Sequence, residues 1–144
     1  MKYSDIIALL PYTKPFLFVD AISAIDENGV TGSYTFDENL DFYKGHFKDN
    51  PVTPGVILTE VMAQIGLVTL GIYLINDNNS IKYAIALTST DIEFIKAVYP
   101  KEKVVVTSEK MYFRFGKLKC KVSMQNEDGD VVCRGEIAGM LFQK

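Results

Sequence analysis

Residues 44–75 read KGHFKDNPVTPGVILTEVMAQIGLVTLGIYLI, and the run from Val56 to Ile75 is the longest apolar stretch of the chain. Apolar residues fall on every side of a 3.6-residue period there, with Glu60 the sole charge and Gln64 one turn later on the same face. A helix of that composition has to be buried. Its start is marked by Thr53 as an N-cap, Pro54 at the first helical position, and Gly55, where another group can approach the backbone closely. Asn76, Asp77, Asn78 and Asn79 mark its end. The run is also long enough to cross a bilayer. Glu60 and Gln64 lie inside it and no Lys/Arg cluster flanks it, so the expectation is a core helix and no membrane span.

Burial makes Glu60 informative. A carboxylate taken out of water must be protonated, hydrogen-bonded or facing a wet cavity, and each of these suggests a site. Just upstream stands His46, the one histidine of the chain. An imidazole can take or give a proton near neutral pH, and the helix start between the two residues offers free N–H groups and the positive end of a dipole. A base, a buried acid and an oxyanion donor therefore fall within one short segment. That set suits proton abstraction beside a carbonyl, the N–H groups stabilising the developing enolate. A lone histidine is more often structural than catalytic, and it is the pairing with Glu60 that favours chemistry.

The 144 residues suit a single domain, 48% hydrophobic and able to build a sizeable core. A net charge of −3 argues against nucleic acid as a partner, which calls for a basic face. The N-terminal residues do not read as a signal peptide, and Cys120 and Cys133 make neither a disulfide framework nor a metal site; the cytoplasm is the expected compartment. Ser4 caps an expected short helix, Asp5 to Leu10, stopped by Pro11. Phe16–Ile25 and Val30–Phe36 read as a hairpin turning at Glu27-Asn28-Gly29, followed by a loop from Asp37 to Lys44 in which Phe42 and Tyr43 read as packing. Lys82–Leu87 returns as a strand, Thr88 to Asp91 mark either a bulge or a polar rim, and Ile92–Ile95 resumes the extended pattern. After a turn at Tyr99–Glu102, two long strands follow, Lys103–Phe115 and Lys117–Asn126, joined near Gly116.

A two-residue turn at Asp128-Gly129 then predicts a register. Met124 faces Cys133, Val122 faces Gly135, Cys120 faces Ile137 and Lys121 faces Glu136, which places apolar pairs on one side and a charged pair on the other. The cysteines fall on one face but several rungs apart, so both should be buried and reduced. The expected fold is α+β: one strongly curved antiparallel sheet wrapped around the long helix, with a second copy of the chain covering what the sheet leaves open.

The segment GHFKDNPVTPGVILTEVMAQIG resembles the signature GHFPxxPVMPGVLxxEAxAQ of the beta-hydroxyacyl-acyl-carrier-protein dehydratases of FabZ type, with His46 and Glu60 at the matching spacing. LPYTKPFLFVD resembles that family's LPHRYPFLLVD, and STDIEFIKAVYPKEKV its segment around KARFRRPVRPGD, so the likeness spans about residues 9 to 142. It implies a hotdog fold and a homodimer whose sites each take the histidine and the acid from different subunits, with a trimer of dimers as a further assembly. It also implies roles. His46 would remove the alpha proton of a (3R)-hydroxyacyl thioester, Glu60 would help the beta hydroxyl leave as water, and the Gly55 N–H would polarise the thioester carbonyl, giving a trans-2-enoyl thioester. Val56, Phe47, Gln64 and Phe94 are the implied substrate-binding residues. Acyl carrier protein is the implied partner, its acidic surface meeting Lys96, Lys101 and Lys103 unless these are simply solvated. Neither cofactor nor metal is called for. The pathway stays open among fatty-acid, lipid A and polyene synthesis.

Two departures stand out. Tyr12, Thr13 and Lys14 replace His-Arg-Tyr in the opening motif, and Thr53 replaces the methionine before Pro-Gly. A threonine there would normally bond the N–H of Gly55 or Val56, the donors the substrate needs, so its hydroxyl either turns away or competes. The rivals are a hotdog thioesterase, which has no need of the His46–Glu60 spacing, and a non-catalytic acyl-binding protein. An isomerising dehydratase of FabA type carries aspartate where Glu60 stands.

Overall fold

The computed structural model describes residues 3–75 and 83–143. The expected stop at 76–79, residue 82 of the expected strand, and the first two residues lie outside them. The elements run α1 (Tyr3–Ala8), β1 (Ala21–Asp26), β2 (Gly29–Thr35), a short 3-10 turn (Asp41–Lys44), the long helix α2 (Gly55–Ile75), β3 (Tyr83–Phe94), β4 (Lys103–Arg114), β5 (Lys117–Asn126) and β6 (Val131–Gln143). All six strands form one antiparallel sheet in the order β1-β2-β4-β5-β6-β3.

The sheet curls because each of four pairings carries one unpaired residue, at Ser23, Thr88, Met111 and Val132, and a bulge bends and twists its strand. Its inner face, including Val104, Val106, Cys120, Val122, Met124 and Ile137, closes on Leu58, Val61, Met62, Ile65, Leu67 and Leu70 of α2. Each such side chain contributes roughly 1.5–3 kcal/mol on leaving water. Helix α2 is apolar and long enough to cross a membrane, with a mean hydropathy of 1.8, and here 72% of its apolar window is buried inside the fold.

Several boundaries differ from the expectation. Helix α1 spans Tyr3–Ala8 rather than Asp5–Leu10, because Leu9 and Leu10 donate to Ile6 and Ile7 in a tightened final turn. Phe16–Asp20 lies outside β1, since the Phe18 N–H and the Phe16 carbonyl bond the side chain of Gln64 instead of a neighbouring strand. Helix α2 contains a π turn at Gln64–Val68, and the hydroxyl of Ser108 on β4 donates to the Gly66 carbonyl. The polar run at 88–91 is a bulge within one continuous β3, skipping Thr88. All four predicted β5–β6 pairs are present. The turn that sets them is wider than two residues, with Gln125 facing Val131, and the bulge at Val132 restores the register. Lys121 faces Glu136 as expected, yet the ion pair of Glu136 is with Lys119, at 3.2 Å.

Candidate active site

The loop before α2 fixes the imidazole through its own backbone. His46 Nδ1 lies 2.9 Å from the Val52 carbonyl, and the Val52 N–H donates to the His46 carbonyl at 2.9 Å. A carbonyl only accepts, so Nδ1 is the donor, and in the neutral ring it is Nε2 that carries the lone pair able to act as a base. The ring stacks on Phe47 at 3.9 Å between centroids. The segment between this loop and the helix is tied to the chain beyond β3, where the Thr53 N–H donates to the Val98 carbonyl at 2.8 Å.

The helix opens without a cap. Pro54, not Thr53, occupies the N-cap position, and no side chain caps the N–H groups of the first turn. The Thr53 hydroxyl is 2.6 Å from the Tyr43 hydroxyl, which places it on the turned-away side of the two alternatives. Thr53 as an N-cap is therefore a correction: its side chain is spent elsewhere, and the first amides of α2 stay open. Pro54 carbonyl takes the N–H groups of Ile57 and Leu58, leaving those of Gly55 and Val56 without an acceptor among the described residues. A Cβ at Gly55 would lie 3.2 Å from the Phe94 ring, so the absent side chain lets that ring sit over the helix start. Phe47, Val56 and Phe94 are 54%, 77% and 51% exposed, and the Phe94 ring puts apolar surface over the helix start.

Glu60 sits in a separate environment about one and a half turns along. Burial raises its pKa, and the hydrogen bond from Gln64 Nε2, at 2.9 Å, pulls the other way. Tyr12 is close enough that burial and the Glu60 charge push its phenol up to about 12. Gln64 is fully buried and fully used: Nε2 also donates to the Phe16 carbonyl at 3.0 Å, and Oε1 accepts from the Phe18 N–H at 2.8 Å. The resemblance set Gln64 among the substrate-binding residues; its contacts place it behind Glu60, holding the acid and the N-terminal segment in register. Within one chain neither a hydrogen bond nor an ion pair joins His46 to Glu60 among the described residues. A groove of about 510 Å³ on the outer sheet face, lined by Asp91, Glu93, Glu109, Lys121, Arg134 and Glu136, lies away from both. Lys96 and Lys101 are exposed and ion-paired with Asp130 and Glu38.

Sequence reading did not single out Val52, whose carbonyl sets the imidazole tautomer, because a backbone contact leaves no residue signature. Tyr43 was read as packing only. The signal for it was the conflict at Thr53, since a hydroxyl diverted from a cap needs somewhere to go.

A FabA-like domain matches residues 10–139. The 3-hydroxyacyl-[acyl-carrier-protein] dehydratase FabZ of Bacillus licheniformis is 32% identical over 94% of this chain and 92% of its own length. That of Herpetosiphon aurantiacus is 36% identical over 99% of the chain and 96% of its own. The chain belongs to the FabZ family. As FabZ members go, it keeps the histidine and glutamate of the signature and departs at Thr53 and Tyr12. A thioesterase of Pseudomonas aeruginosa, solved as a mutant, superposes with a TM-score of 0.69 at 13% identity, covering 100% of this chain and 96% of that one. A hypothetical thioesterase of Streptococcus pneumoniae gives 0.61 at 14% identity over 85% of each chain. These likenesses concern the fold, which is the hotdog.

Proposed function

We propose that this FabZ-family chain dehydrates (3R)-hydroxyacyl thioesters of acyl carrier protein to trans-2-enoyl thioesters, in fatty-acid or related acyl-chain synthesis. The carrying observation is that His46 is held through Nδ1 in the loop leading to a helix start whose Gly55 amide has no acceptor among the described residues. The thioester carbonyl accepts from Gly55, with Val56 next to it. His46 Nε2 takes the alpha proton and the electron pair shifts toward the held oxygen as an enolate. Its return expels the beta hydroxyl, which leaves as water with the proton of Glu60. The imidazolium proton then restores the acid through solvent. Burial favours the protonated form of Glu60, which suits a donor. Phe47 and Phe94 flank the acyl chain, and Gln64 aims Glu60.

Each site takes Glu60 from a second copy, consistent with the lack of a bond between His46 and Glu60 of one chain among the described residues. Support comes from the exposed apolar surface at the helix start and from β3, a long outermost strand with Leu87 and Phe94 exposed. Acyl carrier protein is the substrate carrier, and reduced, buried Cys120 and Cys133 accord with a cytoplasmic setting. The test is mass spectrometry of products from a panel of hydroxyacyl carrier-protein thioesters of varied length. An enoyl thioester is the expected product; free acid and thiol would indicate a thioesterase. His46→Ala should lower turnover about a thousandfold with the fold intact, whereas retained turnover removes the base.

A further inference from the structure

Tyr43 and Thr53 are both buried, and their hydroxyls meet at 2.6 Å beneath the start of α2. Thr53 stands two residues before Gly55, the spacing at which a threonine hydroxyl closes a local turn by accepting the N–H of the second residue on. Pro54 between them has no N–H to compete, and the Gly55 amide has no other acceptor among the described residues. What the fold shows instead is the hydroxyl held by Tyr43. Burial keeps the phenol protonated by raising its pKa, so it remains available as a donor or acceptor across the neutral range.

We propose that Tyr43 is a positioning residue: by holding the Thr53 hydroxyl it keeps the Gly55 amide open for the thioester oxygen. The inference rests on the dehydratase reading for its consequence, though not for its geometry. It explains how a chain with threonine before Pro-Gly keeps an oxyanion donor that this threonine would otherwise occupy. The pair acts through the backbone and touches no reacting atom.

Tyr43→Phe removes the phenol oxygen and keeps the ring. The freed Thr53 hydroxyl then turns to Gly55, and the competition of one neutral hydrogen bond lowers kcat/KM about fivefold to tenfold. Adding Thr53→Val removes the competitor and restores kcat/KM to within about twofold, because replacing both partners by apolar groups of similar shape is nearly neutral. A purely structural role would also be rescued by the second deletion, but it would lower the melting temperature and leave the exchange of the Gly55 amide unchanged. Amide hydrogen exchange at Gly55, read by NMR, gives a second measurement independent of turnover: slowed in Tyr43→Phe, restored in the double variant. Full activity and unchanged exchange in Tyr43→Phe, or a double variant as impaired as the single, overturns the proposal. Should Tyr43→Phe unfold, Thr53→Asn serves, since its longer side chain reaches Gly55 with Tyr43 in place; a fast-exchanging Gly55 amide and full turnover there also overturn it. If the unaltered chain dehydrates nothing, the dehydratase reading fails while the exchange experiment still judges Tyr43.

Discussion

Glu60 is a half-buried carboxyl whose folded pKa lies above its ordinary value, burial being the larger cause and the Gln64 hydrogen bond opposing it. Folding therefore favours its proton. The stability this contributes is fully present below the ordinary carboxylate range and is lost as pH rises through the raised folded value. Glu60→Gln keeps a group that can accept from Gln64 but removes the titration. The expected outcome splits function from stability: dehydration falls about a hundredfold to a thousandfold, while the melting temperature relative to the unaltered chain rises from pH 4 to pH 8. A variant that melts progressively lower across that range would show that the ionised carboxylate is stabilising. His46 and Glu60 were legible as candidates, since a lone imidazole and a charge inside an apolar helix are exceptions to the composition around them. Tyr12 beside Glu60 was not, because the neighbour comes from a distant segment that only the fold brings in. The cysteines followed from strand period alone. Burial pushes the Cys133 thiol up to about 12, with the sulfurs of Met62 and Met124 3.8 and 3.9 Å away, so at pH 8 it should resist alkylation until the chain unfolds.

Among the elements, Gln64 explains where strand reading went wrong. The aromatic and branched run at Phe16–Asp20 has the composition of a strand, but its backbone finds an amide side chain from α2 where a strand would find a ladder partner. Local pattern carries no information about such a long-range substitution. Gln64→Leu should cost about 3 kcal/mol in denaturant unfolding, since it leaves the Phe18 N–H and Phe16 carbonyl unpaired, and it should also lower turnover by releasing Glu60. A loss under about 1 kcal/mol would mean water replaces the amide freely. The β5–β6 register was readable because a period of two leaves only one setting that keeps apolar residues inside. Its turn was not, since the bulge at Val132 compensates for the wider loop without changing the pairs beyond it. Val132 also accepts the N–H groups of Ile95 and Lys96, so the bulge ties the end of β3 to β6. Nearby, a Cβ at Gly135 would lie 1.9 Å from the Asp91 carbonyl oxygen, a backbone atom that cannot step aside. Gly135→Ala should destabilise the chain by about 3 kcal/mol, and a melt unchanged from the unaltered chain would mean β3 and β6 separate there at little cost.

For the molecule as a whole, the sheet wraps α2 on most sides and leaves its first turn, with Val56, Phe47 and Phe94, facing outward. Curvature was inferable from an apolar helix that one sheet must enclose; what covers the open side was not, because an isolated sequence does not distinguish solvent from a second copy. The unjoined His46 and Glu60 of one chain bring the question back to chemistry, and the proposed shared site makes it measurable. His46→Ala and Glu60→Gln chains, each inactive alone, are unfolded together and refolded as an equal mixture. If each site draws its histidine and its acid from different subunits, a mixed dimer has one site with both groups intact and one with neither. Random pairing makes half of the dimers mixed, so about a quarter of the unaltered activity should return in a two-fold symmetric assembly. If both groups served within a single chain, every site in the mixture would lack one of them and none would recover. Activity that follows the product of the two variants' fractions, rising to a maximum of about a quarter at equal proportion and flattening there, is the outcome that a shared site calls for.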